Sequence, residues 1–200
     1  MDAHRQPHLD SNEQPSPIMI LVRHGRTTLN ATGRLRGHSD PPLDETGTAD
    51  VARLANRLAP LLADHRPHRI LSSPLVRATQ TAHAIADRAG LTVAVDDRLL
   101  DRDYGRWNGE LTDEVVKQWG SVDAAPGVES RASVAARVRG LLAEPVTDAP
   151  LVLVTHDANL NAMLEQLDPS LADTPLDPGS WSLIGDAGDG TLSVISTNNH

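Results

Sequence analysis

Apolar residues in this chain occur either as short unbroken runs or at three- and four-residue intervals. Ile18-Met19-Ile20-Leu21-Val22 is a run of five, mostly β-branched and too short for a typical helix, and it reads as a buried strand. Leu151-Val152-Leu153-Val154-Thr155 is a second such run. Weaker strand candidates lie at Arg69–Ser72, Leu91–Val95, Ser180–Ile184 and Thr191–Ile195. Between them Val51, Leu54, Ala55, Leu58, Leu61 and Leu62 recur at helical spacing, which predicts a helix over Thr46–Ala63. Ser73-Pro74 reads as an N-cap followed by proline at the first helical position, with the helix running to about Arg88 and stopping at Gly90. Leu111–Trp119, Ser130–Ala143 and Asn159–Leu167 are the remaining helix candidates. Asn30–Pro42, Asp96–Glu110 and Val122–Glu129 read as loops or irregular segments. Strands alternating with helices predict a three-layer α/β/α sandwich around a mainly parallel sheet. Residues 18–200 form one domain in this reading, preceded by a disordered extension over 1–17.

Composition narrows the chemistry. The chain has no cysteine, which removes thiol nucleophiles, disulfides and thiolate metal ligands together. A net charge of −9 argues against a broad nucleic-acid-binding surface. No apolar run reaches membrane-spanning length and the N-terminus has no signal-like hydrophobic core, so a cytoplasmic protein is the expectation. Seventeen arginines stand against one lysine, Lys117, so composition alone makes no single arginine functional. Phenylalanine is absent, and the core has to be built from Leu, Val, Ile and Ala.

Polar groups with catalytic potential collect where apolar runs end. Arg23-His24-Gly25 follows the first strand and His156-Asp157 follows the second apolar run. Open α/β sheets bind ligands at this carboxyl edge. Arg77 falls in the first turn of a helix, where backbone N–H groups favour an anion. Asp101 lies in a loop after a strand. Two histidines, two arginines and a carboxylate suffice for phosphoryl transfer through a phosphohistidine. The arginines would neutralise the equatorial oxygens and keep the nucleophilic ring uncharged, while the carboxyl group would protonate the leaving oxygen and then activate water.

Longer motifs support that reading. Leu21-Val22-Arg23-His24-Gly25, with Thr27, Asn30 and Arg34-Leu35-Arg36-Gly37-His38-Ser39-Asp40-Pro41-Pro42-Leu43, resembles the signature of the histidine phosphatase superfamily, in its phosphoglycerate mutase-like branch (branch 1). Ser72-Ser73-Pro74-Leu75-Val76-Arg77-Ala78-Thr79-Gln80-Thr81-Ala82, Pro126-Gly127-Val128-Glu129-Ser130 and Val154-Thr155-His156 are similar to three further elements of that branch, with Val128 replacing a glycine. The resemblance implies that His24 is the phosphorylated nucleophile. It also implies that Arg23, Arg77 and His156 form the phosphate pocket, with Asn30 assisting and Thr27 touching phosphate or substrate. Asp101 takes the place of the family's usual glutamate acid, one methylene shorter. Arg102 and Tyr104 would line the substrate mouth. His156-Asp157 is also similar to the His-Asp motif of the acid phosphatase branch, which makes Asp157 a rival acid and a substrate-side group. Against that branch, Thr27 stands where it expects arginine and Leu29 where it expects proline. Asp101 is therefore preferred.

The expectation is a phosphatase for a small phosphorylated metabolite, with no metal and no cofactor, and with a homodimer as an open possibility. A phosphoglycerate mutase-type phosphotransferase is the runner-up, weakened because Glu110–Ser130 supplies only Lys117 as a base. The other readings are a metal-dependent phosphohydrolase built on His156-Asp157 and a phosphate-binding module with weakened turnover. His83 is expected to serve packing, Trp107 to plug the acid loop, and Arg53, Arg57, Arg88, Arg131, Arg137 and Arg139 to face solvent.

Overall fold

The structure, a computed structural model, describes residues 17–65, 69–143, 151–186 and 191–200. Apart from Pro17, the extension expected over residues 1–17 lies outside the described residues. The first apolar run is the strand β1 (Pro17–Arg23) and the second is β4 (Leu151–Thr155). They pair in parallel, with Leu21 opposite Leu153 and Arg23 opposite Thr155. β2 (Arg69–Ser72), β3 (Val93–Val95), β5 (Trp181–Asp186) and β6 (Leu192–Asn199) complete a six-stranded sheet in the order β3-β2-β4-β1-β5-β6. The β2–β3, β2–β4 and β1–β4 pairs are parallel and only β5 runs against the others, so the mainly parallel sheet is found.

Strand alternation divides the core between two faces. Ile20 and Val22 of β1 pack with Leu54 and Leu58 of α2 (Glu45–His65) and with Ala82 and Ile85 of α3 (Val76–Ala89). Met19 and Leu21 point the other way, onto Val138 and Leu141 of α5 (Arg131–Leu142) and Leu160 and Met163 of α6 (Asp157–Leu167). Helices therefore cover both faces, and aliphatic side chains fill both cores. A smaller cluster of Leu35, Tyr104, Val115 and Ala125 lies under α4 (Thr112–Trp119). Trp107 joins it, edge-on to Trp119 at 6.0 Å and donating from Nε1 to the Pro126 carbonyl at 3.0 Å.

Three local readings are corrected. Asn30–Pro42 is not all loop, because a short helix α1 (Thr28–Ala31) opens it, with Thr27 as its N-cap. Ser73 does not cap α3, which begins at Val76. Its hydroxyl is held by His156, and the carboxylate of Asp40 accepts from the Val76 N–H at 2.7 Å instead, an N-cap supplied from a distant loop. His83 is exposed, and its ring bonds the Thr79 carbonyl one turn back rather than packing into the core.

Candidate active site

The chain lays down β1, steps past one sheet position to β2 and β3, and returns to fill the gap with β4. The carboxyl ends of β2, β4 and β1 thus meet where the winding reverses, the usual place for a ligand in an open α/β sheet. His24 continues β1, its N–H donating to the Thr155 carbonyl at 3.0 Å, and His156 continues β4. Their ring centroids are 5.0 Å apart. Gly25 lets β1 turn away at this point. A Cβ there would lie 2.4 Å from Val51 Cγ2, so the glycine serves close packing on α2 rather than approach to a ligand.

The hydrogen bonds around His24 agree on one tautomer. Its Nδ1–H donates to the Gly25 carbonyl at 2.7 Å, leaving a lone pair on Nε2 that accepts from Arg77 Nε at 3.3 Å. Burial, reinforced by the charges of His156 if protonated, Arg77, Arg23 and Arg36, holds the ring's pKa well below the ordinary histidine value. Burial also holds His156 well below it, followed by the charges of Arg77, Arg36, Arg23 and Arg137. Ser73 Oγ accepts from the Leu75 N–H at 3.4 Å and lies 2.8 Å from His156 Nε2, within hydrogen-bond distance of that nitrogen. His156 Nδ1 faces Asp101 Oδ2 at 3.8 Å, with no hydrogen-bond partner among the described residues.

Arg77 joins these groups. One guanidinium nitrogen donates to Asp101 Oδ2 at 2.9 Å and to the Gly37 carbonyl at 2.8 Å, and the other to the Ser39 carbonyl at 2.8 Å. Gly37 is at φ +46° and a Cβ would lie 2.1 Å from Asn108 Oδ1, so no larger residue offers its carbonyl in the same way. His24, His156 and Arg77 are fully buried and Asp101 is 1% exposed. Arg23 is also buried, donating to the Leu176 carbonyl and pairing with Asp157 Oδ1 at 3.2 Å.

A cavity of about 550 Å3 adjoins this floor, lined among others by Arg23, Asp157, Arg102 and Tyr104. Arg102 donates to the Glu129 carbonyl at 2.7 Å, pairs with Asp123 at 2.6 Å and lies 5.7 Å from the centre of the Tyr104 ring. Thr27 and Asn30 are arranged differently. Their side chains bond each other in a capping box, the Thr27 hydroxyl donating to Asn30 Oδ1 at 2.8 Å, and neither bonds His24, His156, Arg77 or Asp101. Among the described residues no three His, Asp or Glu side chains group as a metal's ligands would.

Several residues that build the site carry no sequence motif beyond their type. Arg137, expected to face solvent, is half-buried and donates to the carbonyls of Arg98 and Leu100 at 2.9 and 2.6 Å, just before Asp101. Asn159 donates to the Leu99 and Leu100 carbonyls at 3.0 and 2.9 Å, and the Thr155 hydroxyl to Leu99 at 2.8 Å. Arg131 is solvent-exposed, as expected, and also lines the cavity and ties Asp123 to Asp173. Arg36 lines it as well.

Known proteins share the family and the fold. The family model for the histidine phosphatase superfamily (branch 1) matches residues 19–199. The chain is 31% identical over 198 residues to a glucosyl-3-phosphoglycerate phosphatase of Mycobacterium tuberculosis, covering 89% of this chain and 84% of that protein. Phosphoserine phosphatase 1 of Hydrogenobacter thermophilus is 36% identical over 160 residues, 72% of this chain and 73% of its own. A solved structure of the mycobacterial glucosyl-3-phosphoglycerate phosphatase with VO3 superposes with a TM-score of 0.78 at 28% identity, over 91% of this chain and 99% of that one. Family and relatives together make the protein a phosphatase with the phosphoglycerate mutase-like fold. It belongs to branch 1 of the histidine phosphatase superfamily.

Proposed function

We propose that the protein hydrolyses a small phosphorylated metabolite in two steps through a phosphorylated His24, without a metal or cofactor. In the first, His24 Nε2 attacks phosphorus, the P–N bond forms and the P–O bond to the leaving group breaks. Asp101 gives its proton to that oxygen. In the second, Asp101 as carboxylate takes a proton from water, whose oxygen attacks phosphorus as the P–N bond breaks and inorganic phosphate leaves. Arg23, Arg77 and His156 hold the equatorial oxygens, where a loose transition state concentrates charge. The observation that carries the reading is the tautomer of His24, whose Nδ1–H is tied to Gly25 while the Nε2 lone pair faces Arg77.

Asp101 is preferred to Asp157 as the acid because its Oδ2 lies between Arg77 and His156, on the reacting side, whereas Asp157 pairs with Arg23 at the cavity wall. The relatives named for glucosyl-3-phosphoglycerate and phosphoserine support a small phosphorylated metabolite as the substrate class. Rapid quenching with phosphorus-labelled p-nitrophenyl phosphate in the presence of chelator tests the route. An acid-labile, base-stable protein adduct is expected. In His24→Ala the adduct is absent and turnover falls on the order of 10⁴-fold or more. Unlabelled wild-type protein that still turns over would end the proposal.

A further inference from the structure

Asp101 stands in a segment, residues 100–104, that forms neither helix nor strand. The carbonyls leading up to it are nevertheless all taken by side chains from other segments. The Arg98 carbonyl accepts from Arg137 at 2.9 Å, and the Leu99 carbonyl from the Thr155 hydroxyl and from Asn159. Leu100 accepts from Arg137 at 2.6 Å and from Asn159 at 2.9 Å, and the Asp101 carbonyl accepts from His38 Nε2 at 3.0 Å. An ordinary surface loop leaves such carbonyls to water. Four in a row held by distant side chains mark a loop whose place is specified.

One pair grips both flanks of the acid. Arg137 Nη1 spans the Arg98 and Leu100 carbonyls, while Nη2 lies 3.2 Å from Glu129 Oε2. That oxygen accepts from the Asp103 N–H at 3.1 Å, and Glu129 Oε1 accepts from Ser133 Oγ at 2.8 Å. Between the main chains, the Glu129 N–H donates to the Asp103 carbonyl at 2.8 Å, and Arg102 Nε to the Glu129 carbonyl at 2.7 Å. Arg137 and Glu129 thus bridge from Leu100 to Asp103 across Asp101. Their footing is firm: Val134, Val138 and Leu141 bury one face of α5, and the Ser130 side chain caps its start.

We infer that Arg137 and Glu129 are positioning residues for the acid, acting by holding the Asp101 carboxyl group between Arg77 and His156. The inference rests on the reading of Asp101 as proton donor and deepens it. Neither residue bonds His24, His156, Arg77 or the Asp101 carboxyl group, so any effect on the reaction passes through the loop. Aspartate has only two side-chain torsions, and its carboxyl group must follow its Cα. Oδ1 is taken by the Arg102 N–H at 2.9 Å and Oδ2 meets Arg77 at 2.9 Å, which leaves little room to swing back after a backbone shift. A misplacement of about 1 Å can cost a reacting group on the order of 10²-fold. The Pro126-Gly127-Val128-Glu129-Ser130 element thereby gains a part in the reaction: its glutamate is one jaw of a clamp on the acid loop.

Phosphorus-labelled phenyl phosphate and p-nitrophenyl phosphate test this, since they differ only in the nitro group that lets the second depart without a proton. Rapid quenching reads the rate of transfer to His24 alone, because the later hydrolysis is common to both esters. In Arg137→Met, which keeps an aliphatic stem and loses the donors, that rate is expected to fall on the order of 10-fold or more with phenyl phosphate. With p-nitrophenyl phosphate it is expected to stay within about 3-fold of the wild type, with KM of both esters little changed. Should Arg137→Met fail to fold, Glu129→Gln takes its place with the same expectation. Equal losses on the two esters would mark a merely structural role and overturn the inference, as would no loss on either. Asp101→Asn, run alongside, separates the two claims. A leaving-group dependence there but not in the clamp variant removes the inference alone, whereas its absence in Asp101→Asn removes the acid and the inference with it.

Discussion

The catalytic floor and the cavity wall above it are built in opposite ways. His24, His156 and Arg77 are fully buried and Asp101 nearly so, and each is fixed by a strand end or by several directed hydrogen bonds. The wall is made of loops and helix faces, and its outer ion pairs are wet: the side chains of Asp123, Arg131 and Asp173 are 44, 55 and 68% exposed. A buried guanidinium aimed at a carboxylate acts through short range and low dielectric, whereas an exposed pair is screened. The floor therefore sets the reaction and the wall adjusts which molecule reaches it. Mutations in the two regions should separate accordingly.

The acid gives the largest contrast. Asp101→Asn removes the proton donor from the floor, and Asp157→Asn removes a carboxylate from the border with the wall. With an alkyl phosphate, whose leaving oxygen needs a proton, Asp101→Asn is expected to lower kcat between about 10²- and 10⁴-fold. With p-nitrophenyl phosphate, whose leaving group departs unprotonated, the loss of phosphorylation rate is expected to be far smaller. Asp157→Asn is expected to cost about tenfold or less on both. Burst kinetics, which resolve phosphorylation from hydrolysis, provide the check. A larger and leaving-group-dependent loss in Asp157→Asn would move the acid to the other carboxylate and blur the line between floor and wall.

The same division explains what could be read from the sequence. A parallel strand buried on both faces shows as an unbroken apolar run, so the polar residues that follow it, Arg23-His24 and His156, are conspicuous at once. The sheet then brings those ends together by topology, and the fold class follows from the same alternation. Arg36 was one arginine among seventeen, in a loop whose path depends on Gly37 fitting under Asn108 and on a bridge to Leu111. Arg137 and Asn159 hold the Asp101 loop from helices, where periodicity shows only which face is apolar and not which polar residue reaches a carbonyl in another segment. Ser73 illustrates the same limit. The sequence offers an N-cap, but tertiary contact gives its hydroxyl to His156 and the cap to Asp40. The resemblance puts Thr27 at the phosphate or substrate with Asn30 assisting, and their observed bonds form a capping box that spacing alone also permits.

Burial of the floor has a price in acid. In the unfolded chain His24 and His156 take up protons near pH 6.5, while in the folded protein both resist protonation until well below it. The unfolded state then binds more protons in the window beneath 6.5, so stability is fully present above that pH and is lost as pH falls through the window. The slope is about 1.4 kcal/mol per pH unit for each ring. Urea midpoints measured from pH 7.5 to 5.0 should decline below 6.5 in the wild type, and His24→Asn should remove about half of that slope. An unchanged slope would mean that the ring titrates normally and that the floor is wetter than its burial indicates. Because the folded ring stays neutral, the rising limb of kcat/KM with pH should not come from His24.

The smallest effect is expected where the wall is most exposed. Arg131 donates to Asp123 at 2.9 Å and to Asp173 at 2.6 Å, tying the loop between α4 and α5 to the one that follows α6. Asp173 sits at φ +57°, a backbone conformation that aspartate tolerates better than most residues, so the contact also holds a mildly strained turn. Each pair is exposed enough that water and salt compete with it, and about 0–1 kcal/mol is the usual contribution. Arg131→Ala should therefore lower stability by no more than about 1 kcal/mol, less so in high salt. Its kinetic effect should be a change of a few-fold in KM with kcat held, because the reacting groups lie behind Arg23 and are fixed by other bonds. A tenfold loss of kcat on a small aryl phosphate would break the comparison: it would mean that the exposed tie transmits to the buried floor, through Asp123 and Arg102, and that the two regions work as one.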